Sequence, residues 1–215
     1  MFAFAFDTET TGMVDWNLPS TDPAQPHLVQ LAGILFDLRD YRTVSTMSVI
    51  VRPDGWTIPN DAAAVHGIDQ ANAGYLGVSL ENAVMLFCDL AARADILLAH
   101  NLDFDRIVME AAKARVDAIF GVEPTLPWQA HHQSICTKVH STDVLKLPKT
   151  TGRHGGYKWP SLNECYQHFY GIDVEGAHDA LTDVRACINV FVELIGLGIF
   201  PDLAFAGQTA EEAAA

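Results

Sequence analysis

"FAFDTETTGM", residues 4 to 13, runs an apolar segment into an aspartate. Phe2 to Phe6 are all apolar, as expected of a strand buried on both faces. Asp7 and Glu9 follow, then Thr10, Thr11 and Gly12. Side chains alternate along a strand, so Asp7 and Glu9 share one face at the strand's end. Two carboxylates that close repel unless a proton or a cation stands between them. A hard cation that prefers oxygen ligands fits, Mg2+ or Mn2+. A polar turn would use the same letters, so the stretch gains weight only from others like it.

Outward from this strand, the chain reads as one α/β domain over residues 1–200, with a flexible tail over 201–215. The 215 residues are 49% hydrophobic and 19% charged, enough apolar material for a sizeable core. Leu28 to Asp37, Thr43 to Val51 and residues 95–99 read as strands. Residues 14–27, with three prolines, and residues 52–60 read as loops. Helical spacing appears over 80–93, 104–116 and 179–197. Ser161 and Gly171 bracket a further helix. Strands first, then strands alternating with helices, imply a mixed sheet flanked by helices. No apolar run reaches the roughly 18–20 residues of a membrane span, and "MFAFAF" lacks the basic start of a signal peptide. Four cysteines without CxxC spacing suit reduced thiols. These features together predict a cytoplasmic protein with no membrane partner.

The net charge of −14 argues against a general nucleic-acid binder. Between Lys138 and Lys158, however, five basic residues (Lys138, Lys146, Lys149, Arg153, Lys158) face one acid, Asp143. That local balance of +4 leaves −18 on the rest of the chain. A basic patch on an acidic body can steer a polyanion to one place, although lysines on a loop also serve solubility alone.

Two further stretches carry acids where a hydrophobic pattern changes. In "LLAHNLDFD", residues 97 to 105, an apolar strand gives way to a helix with two aspartates. Asp103 suits an N-terminal or capping position, whereas Asp105 lies beside the apolar stripe that begins at Phe104 and needs a partner there. In "GAHDALTDVRA", residues 176 to 186, His178 and Asp183 are five apart. Five residues turn a helix by about 500°, so the pair can serve one site only if His178 precedes the helix that Asp179 caps.

Together these stretches resemble the DEDDh family of 3′→5′ exonucleases, with a ribonuclease H-like α/β fold; the bacterial replicative proofreading subunit, ribonuclease T and oligoribonuclease belong to it. Asp7 to Gly12 resembles its Asp-x-Glu-Thr-Thr-Gly, His100 to Asp105 its His-Asn-x-x-Phe-Asp, and His178 to Asp183 its His-x-x-x-x-Asp. "AVHGID", residues 64 to 69, is similar to its His-Gly-Ile segment. A sister branch has tyrosine four residues before the last acid; here that position is Asp179. The loop over 14–27 is longer than the pattern suggests, and Cys136-Thr137 stands where many members have Asp-Thr.

The resemblance implies two Mg2+ or Mn2+ ions on Asp7, Glu9, Asp105 and Asp183, with His178 as the base that takes a proton from water. It places Met13 and His66 against the terminal base and adds Thr10, Asn101 and Phe104 to the substrate contacts. The expected partner is a nucleic-acid 3′ end, single-stranded or short. Trp16, Trp128 and Trp159 lie in proline-containing loops and could stack on unpaired bases, but loop tryptophans more often cover a core. "HHQSIC", residues 131 to 136, falls short of the four ligands of a zinc site. The competing readings are a silent binding or polymerase-associated module of the same fold, and an endonuclease. DNA or RNA, oligomeric state and any polymerase partner stay open.

Overall fold

A computed structural model describes residues 1–128, 133–149 and 156–203. Five strands form one sheet. β1 (Phe2–Thr10), β2 (Leu28–Asp37) and β3 (Thr43–Ile50) run antiparallel, and β4 (Ile96–Ala99) and β5 (Gln133–Cys136) join the other side of β1 in parallel, giving the order β3-β2-β1-β4-β5.

β1 extends past Phe6, because β2 keeps pairing with it: Asp7 faces Ala32 and Glu9 faces Gln30, before the register shifts at Thr10. The acids therefore belong to the strand rather than to a turn beyond it. A bulge at that point re-aims the chain as it leaves the sheet.

Alternation along β1 builds two cores. Phe4 and Phe6 meet Phe87 edge-on, at 5.4 and 5.0 Å between ring centroids. Phe87 lies on α3 (Leu80–Ala91), and α4 (Leu102–Ile119) adds Val108 and Met109 to the same cluster. On the opposite face, Ala3, Ala5 and Ala32 meet Val184, Cys187 and Phe191 of α7 (Ala180–Gly196). Large rings on one face and methyl groups on the other bring α7 close against the sheet. That closeness sets Asp183 beside Asp7.

Several elements differ from the sequence reading. α1 (Asn60–His66) and α2 (Gln70–Leu76) have seven residues each, and only Ala73 between them is buried, so no periodic stripe announces them. β5 and α5 (Thr137–Leu145) occupy a stretch that reads as loop. β3 stops at Ile50, and Val51 bridges Val78 instead. α4 starts two residues early with Asn101 at its N-cap, so of the two positions that suit Asp103, N-terminal or capping, it takes the N-terminal one, in the first turn. α6 (Leu162–Tyr170) keeps its read boundaries: Ser161 and Glu164 form a capping box, and Gly171 closes the helix at φ +72°. Within the tail, Pro201–Leu203 form a 3-10 turn with Leu203 buried. Residues 204–215, the histidines of the 131–136 stretch and Arg153 lie outside the described residues.

Candidate active site

The acids converge from both faces of the sheet. Asp7, Glu9, Asp105, His178 and Asp183 line one cleft of about 310 Å³, together with Met13, His100, Asn101 and Phe104. Glu9, His178 and Asp183 each offer a ligand atom within 4.8 Å of the others. Asp105 comes from α4, on the other side of β1, and is held at the strand by Thr8. The Thr8 hydroxyl and N–H donate to Asp105 Oδ1 at 2.7 and 3.1 Å. Asp105 is 2% exposed, whereas Asp103 is solvent-exposed. Geometry thus separates the two aspartates as the motif register does.

His178 precedes α7, as the five-residue spacing requires. Its backbone takes the left-handed conformation, φ +69°, which costs a non-glycine residue about 1–2 kcal/mol. Its N–H donates to Asp183 Oδ2 at 3.2 Å. Gln30 fixes this junction. Its amide donates to Asp179 Oδ2 at 3.1 Å and its carbonyl oxygen accepts from Ala180 N–H at 3.2 Å. Asp179 in turn caps α7 at Thr182. Gln30 is buried in a strand that is otherwise nearly all apolar, and that polar interruption was its signal in the sequence. Thr8 stood inside the first motif, but only alternation across the strand reveals its task.

A second cavity of about 340 Å³ adjoins the first and shares Thr8, Glu9, Met13 and Phe104 with it. Thr10, Gly12, Asp61, Val65 and His66 also line it. Met13 is 78% exposed, an apolar side chain offered to a ligand or to water. Phe104 is half-buried, packed on the core while bordering both cavities. The Thr10 hydroxyl donates to the Gly12 carbonyl at 2.6 Å, so it shapes the turn beneath the cavity. His66 Nδ1 accepts Ile68 N–H at 3.1 Å, which leaves the ring proton on Nε2.

Other sequence candidates separate. Trp128 is 9% exposed with Arg106 over its ring, a core cover, while Trp16 and Trp159 are exposed. Lys158 pairs with Glu164, just beyond the counted basic stretch, and so adds little free charge there. Burial lowers His100 to about 4, so its neutral ring bonds Thr137 Oγ1 at 2.9 Å and the Pro160 carbonyl at 3.2 Å.

Burial, with mutual repulsion added, raises all four carboxyls. Glu9 is pushed up to about 8 and Asp105 to about 7, and Asp7 and Asp183 also move up. Among the described residues no lysine or arginine pairs with any of them. Four clustered oxygen-donor side chains that repel one another fit hard divalent cations. The linkage has a definite sign. The folded state holds protons that the unfolded chain has released above pH ~4, so these groups stabilise at low pH and lose that contribution as pH rises toward about 8. The metal-free protein is expected to melt at lower temperature at pH 8 than near pH 5.5. Mg2+ or Mn2+ should raise Tm more at the higher pH, where it no longer competes with protons. A Tm at pH 8 that ignores both cations would show that the cluster holds neither.

Residues 4–191 match the family model RNase_T, described as exonuclease. DNA polymerase III subunit epsilon of Treponema pallidum (strain Nichols) is 24% identical over 197 residues, 89% of this chain and 75% of that protein. The fold is similar to E. coli exonuclease I solved with a dT13 oligonucleotide, at a TM-score of 0.66 and 20% identity over 94% of this chain. The complex with dA16 gives 0.65. The chain spans 42% of exonuclease I, and the likeness establishes a ribonuclease H-like α/β fold. Among the described residues no helix is long and apolar enough to cross a membrane.

Proposed function

From the premise that the chain belongs to the RNase_T exonuclease family, we propose that it is a DEDDh 3′→5′ exonuclease, cytoplasmic, that releases nucleoside 5′-monophosphates from single-stranded or short 3′ ends. The observation that carries this reading is the convergence of Asp7, Glu9, Asp105, Asp183 and His178 on one cleft that continues into a second cavity.

Asp7, Glu9, Asp105 and Asp183 would hold two divalent ions, Mg2+ or Mn2+, which would supply Lewis-acid polarisation of the phosphate, a more acidic water and charge stabilisation for the leaving 3′ oxygen. The protein's own groups do the rest. His178, exposed on its left-handed turn beside Asp183, takes the proton of the attacking water. Thr8 keeps Asp105 in register with Asp7 across the strand. Met13, Phe104 and His66 receive the terminal base, and α1 borders the far side of that cavity, which suits a strand end better than a continuing strand. The acidic body repels long duplexes, and single strands present fewer phosphates to it.

Incubation with end-labelled single strands, blunt duplexes, very short oligomers and a covalently closed circle, in both DNA and RNA form, tests this reading. Monophosphates should appear from 3′ ends only, with the circle untouched, and chelation after metal stripping should take the rate to background. Full activity in chelator, or cleavage of the circle, would overturn it.

A further inference from the structure

One lysine and one tryptophan stand beside the cleft without a role in the site described above. The second cavity shares Thr8, Glu9, Met13 and Phe104 with the cleft, whereas His100, Asn101 and Leu162 line the cleft alone. There the Lys138 ammonium donates to Asn101 Oδ1 at 2.9 Å and stands 5.2 Å from the centroid of the Trp159 ring. Asn101 caps α4 in the left-handed conformation without a side-chain capping bond, so its carbonyl is free to serve Lys138. The segment that carries Trp159 is tied to the cleft at two points. The Pro160 carbonyl bonds the His100 ring, and Leu162 forms part of the cleft wall.

Trp159 is nevertheless 64% exposed, so it does not cover the core. Lys138 is half-buried, and among the described residues it has no carboxylate partner. Its neighbour in the basic stretch, Lys158, is already paired with Glu164. An indole with one face on an ammonium and the rest in solvent, beside an unneutralised cation, offers what one nucleotide needs: a stacking surface for the base and a positive charge for the phosphate.

We infer that Lys138 and Trp159 form the subsite for the nucleotide that precedes the terminal one, Trp159 stacking its base and Lys138 contacting its phosphate. This rests on the exonuclease reading above. The subsite is sequence-tolerant, because every base has a face to stack. It favours an unpaired strand, because a paired base has no free face at that point.

The test compares two kinds of substrate. The p-nitrophenyl esters of thymidine and uridine 5′-monophosphate end at the scissile phosphate; the pentamers of dT and U continue beyond it. In Trp159→Ala and Lys138→Gln, kcat/KM on the pentamer should fall about tenfold more than on the ester, chiefly through KM. Trp159→Phe should restore most of the loss. Lys138→Gln, which keeps a donor for Asn101, should also shallow the salt dependence by about 0.7. Both sites are accessible enough that Tm should stay near wild type, which separates binding from folding. Equal losses on ester and pentamer, or no loss on either, would overturn the subsite. A wild-type protein inactive on all four substrates would instead overturn the exonuclease reading itself.

Discussion

Asp105→Asn should lower kcat by about a thousandfold, while Asp103→Asn leaves most of it. The two residues are two positions apart in sequence, about 200° around the helix, and opposite in setting. Asp105 is buried, receives two hydrogen bonds from Thr8, and faces Asp7 and Asp183 closely enough to feel their charge. Asparagine keeps the shape and removes the charge. Metal ions supply several kcal/mol of transition-state stabilisation, and each 1.36 kcal/mol is tenfold in rate. Asp103 points to solvent, where its loss touches only the start of α4. Because Asp105 is held by Thr8, removing the hydroxyl in Thr8→Val should weaken metal binding without abolishing turnover, by about 10–100-fold as for other residues that orient a ligand. Measuring kcat and metal affinity for the three variants decides the matter. Equal losses at 103 and 105 would mean that the motif register is wrong.

What the sequence made legible, and what it hid, follows from where the information is stored. The strand Leu28–Asp37 and the helix between Ser161 and Gly171 came out with their boundaries intact. In both, local chemistry decides the limits: an apolar run interrupted only by Gln30 before Asp37 in one, a capping box and a left-handed glycine in the other. β1 came out too short, because Asp7 and Glu9 break its apolar pattern while β2 still pairs with their backbone. Hydrogen bonding to a neighbour overrode side-chain preference there. α1 and α2 stayed hidden because a seven-residue helix with an exposed surface has no stripe to detect. The acids were legible as a set through the resemblance of their three stretches to one family's motifs, and the structure carries them on β1 and in the first turns of α4 and α7 around one cleft. Thr8 and Gln30 were not. Their bonds run from Thr8 to Asp105 and from Gln30 to Asp179, across 97 and 149 residues, and only the folded chain brings those ends together.

His178→Gly should cost about 10²–10⁴-fold in kcat and leave Tm no lower than wild type. The two halves of this expectation come from different sources. The rate loss is what a positioned general base contributes. The stability follows from the backbone: His178 sits at φ +69°, a conformation that glycine adopts without the Cβ clash. Relief of that strain offsets the entropy glycine adds to the unfolded chain, about 0.5–1 kcal/mol. The backbone hydrogen bond that His178 gives to the site, N–H to Asp183 Oδ2, survives the substitution. His178→Ala keeps the strain, so it should lose the same rate without the same relief. A chain that tolerates a strained histidine where glycine would fit better retains it for what the imidazole does. The two variants, measured by kcat at saturating metal and by thermal unfolding, separate that role from a structural one. If His178→Gly unfolds well below wild type, the turn depends on the imidazole for its shape. If its kcat stays within tenfold of wild type, the proton of the attacking water goes elsewhere.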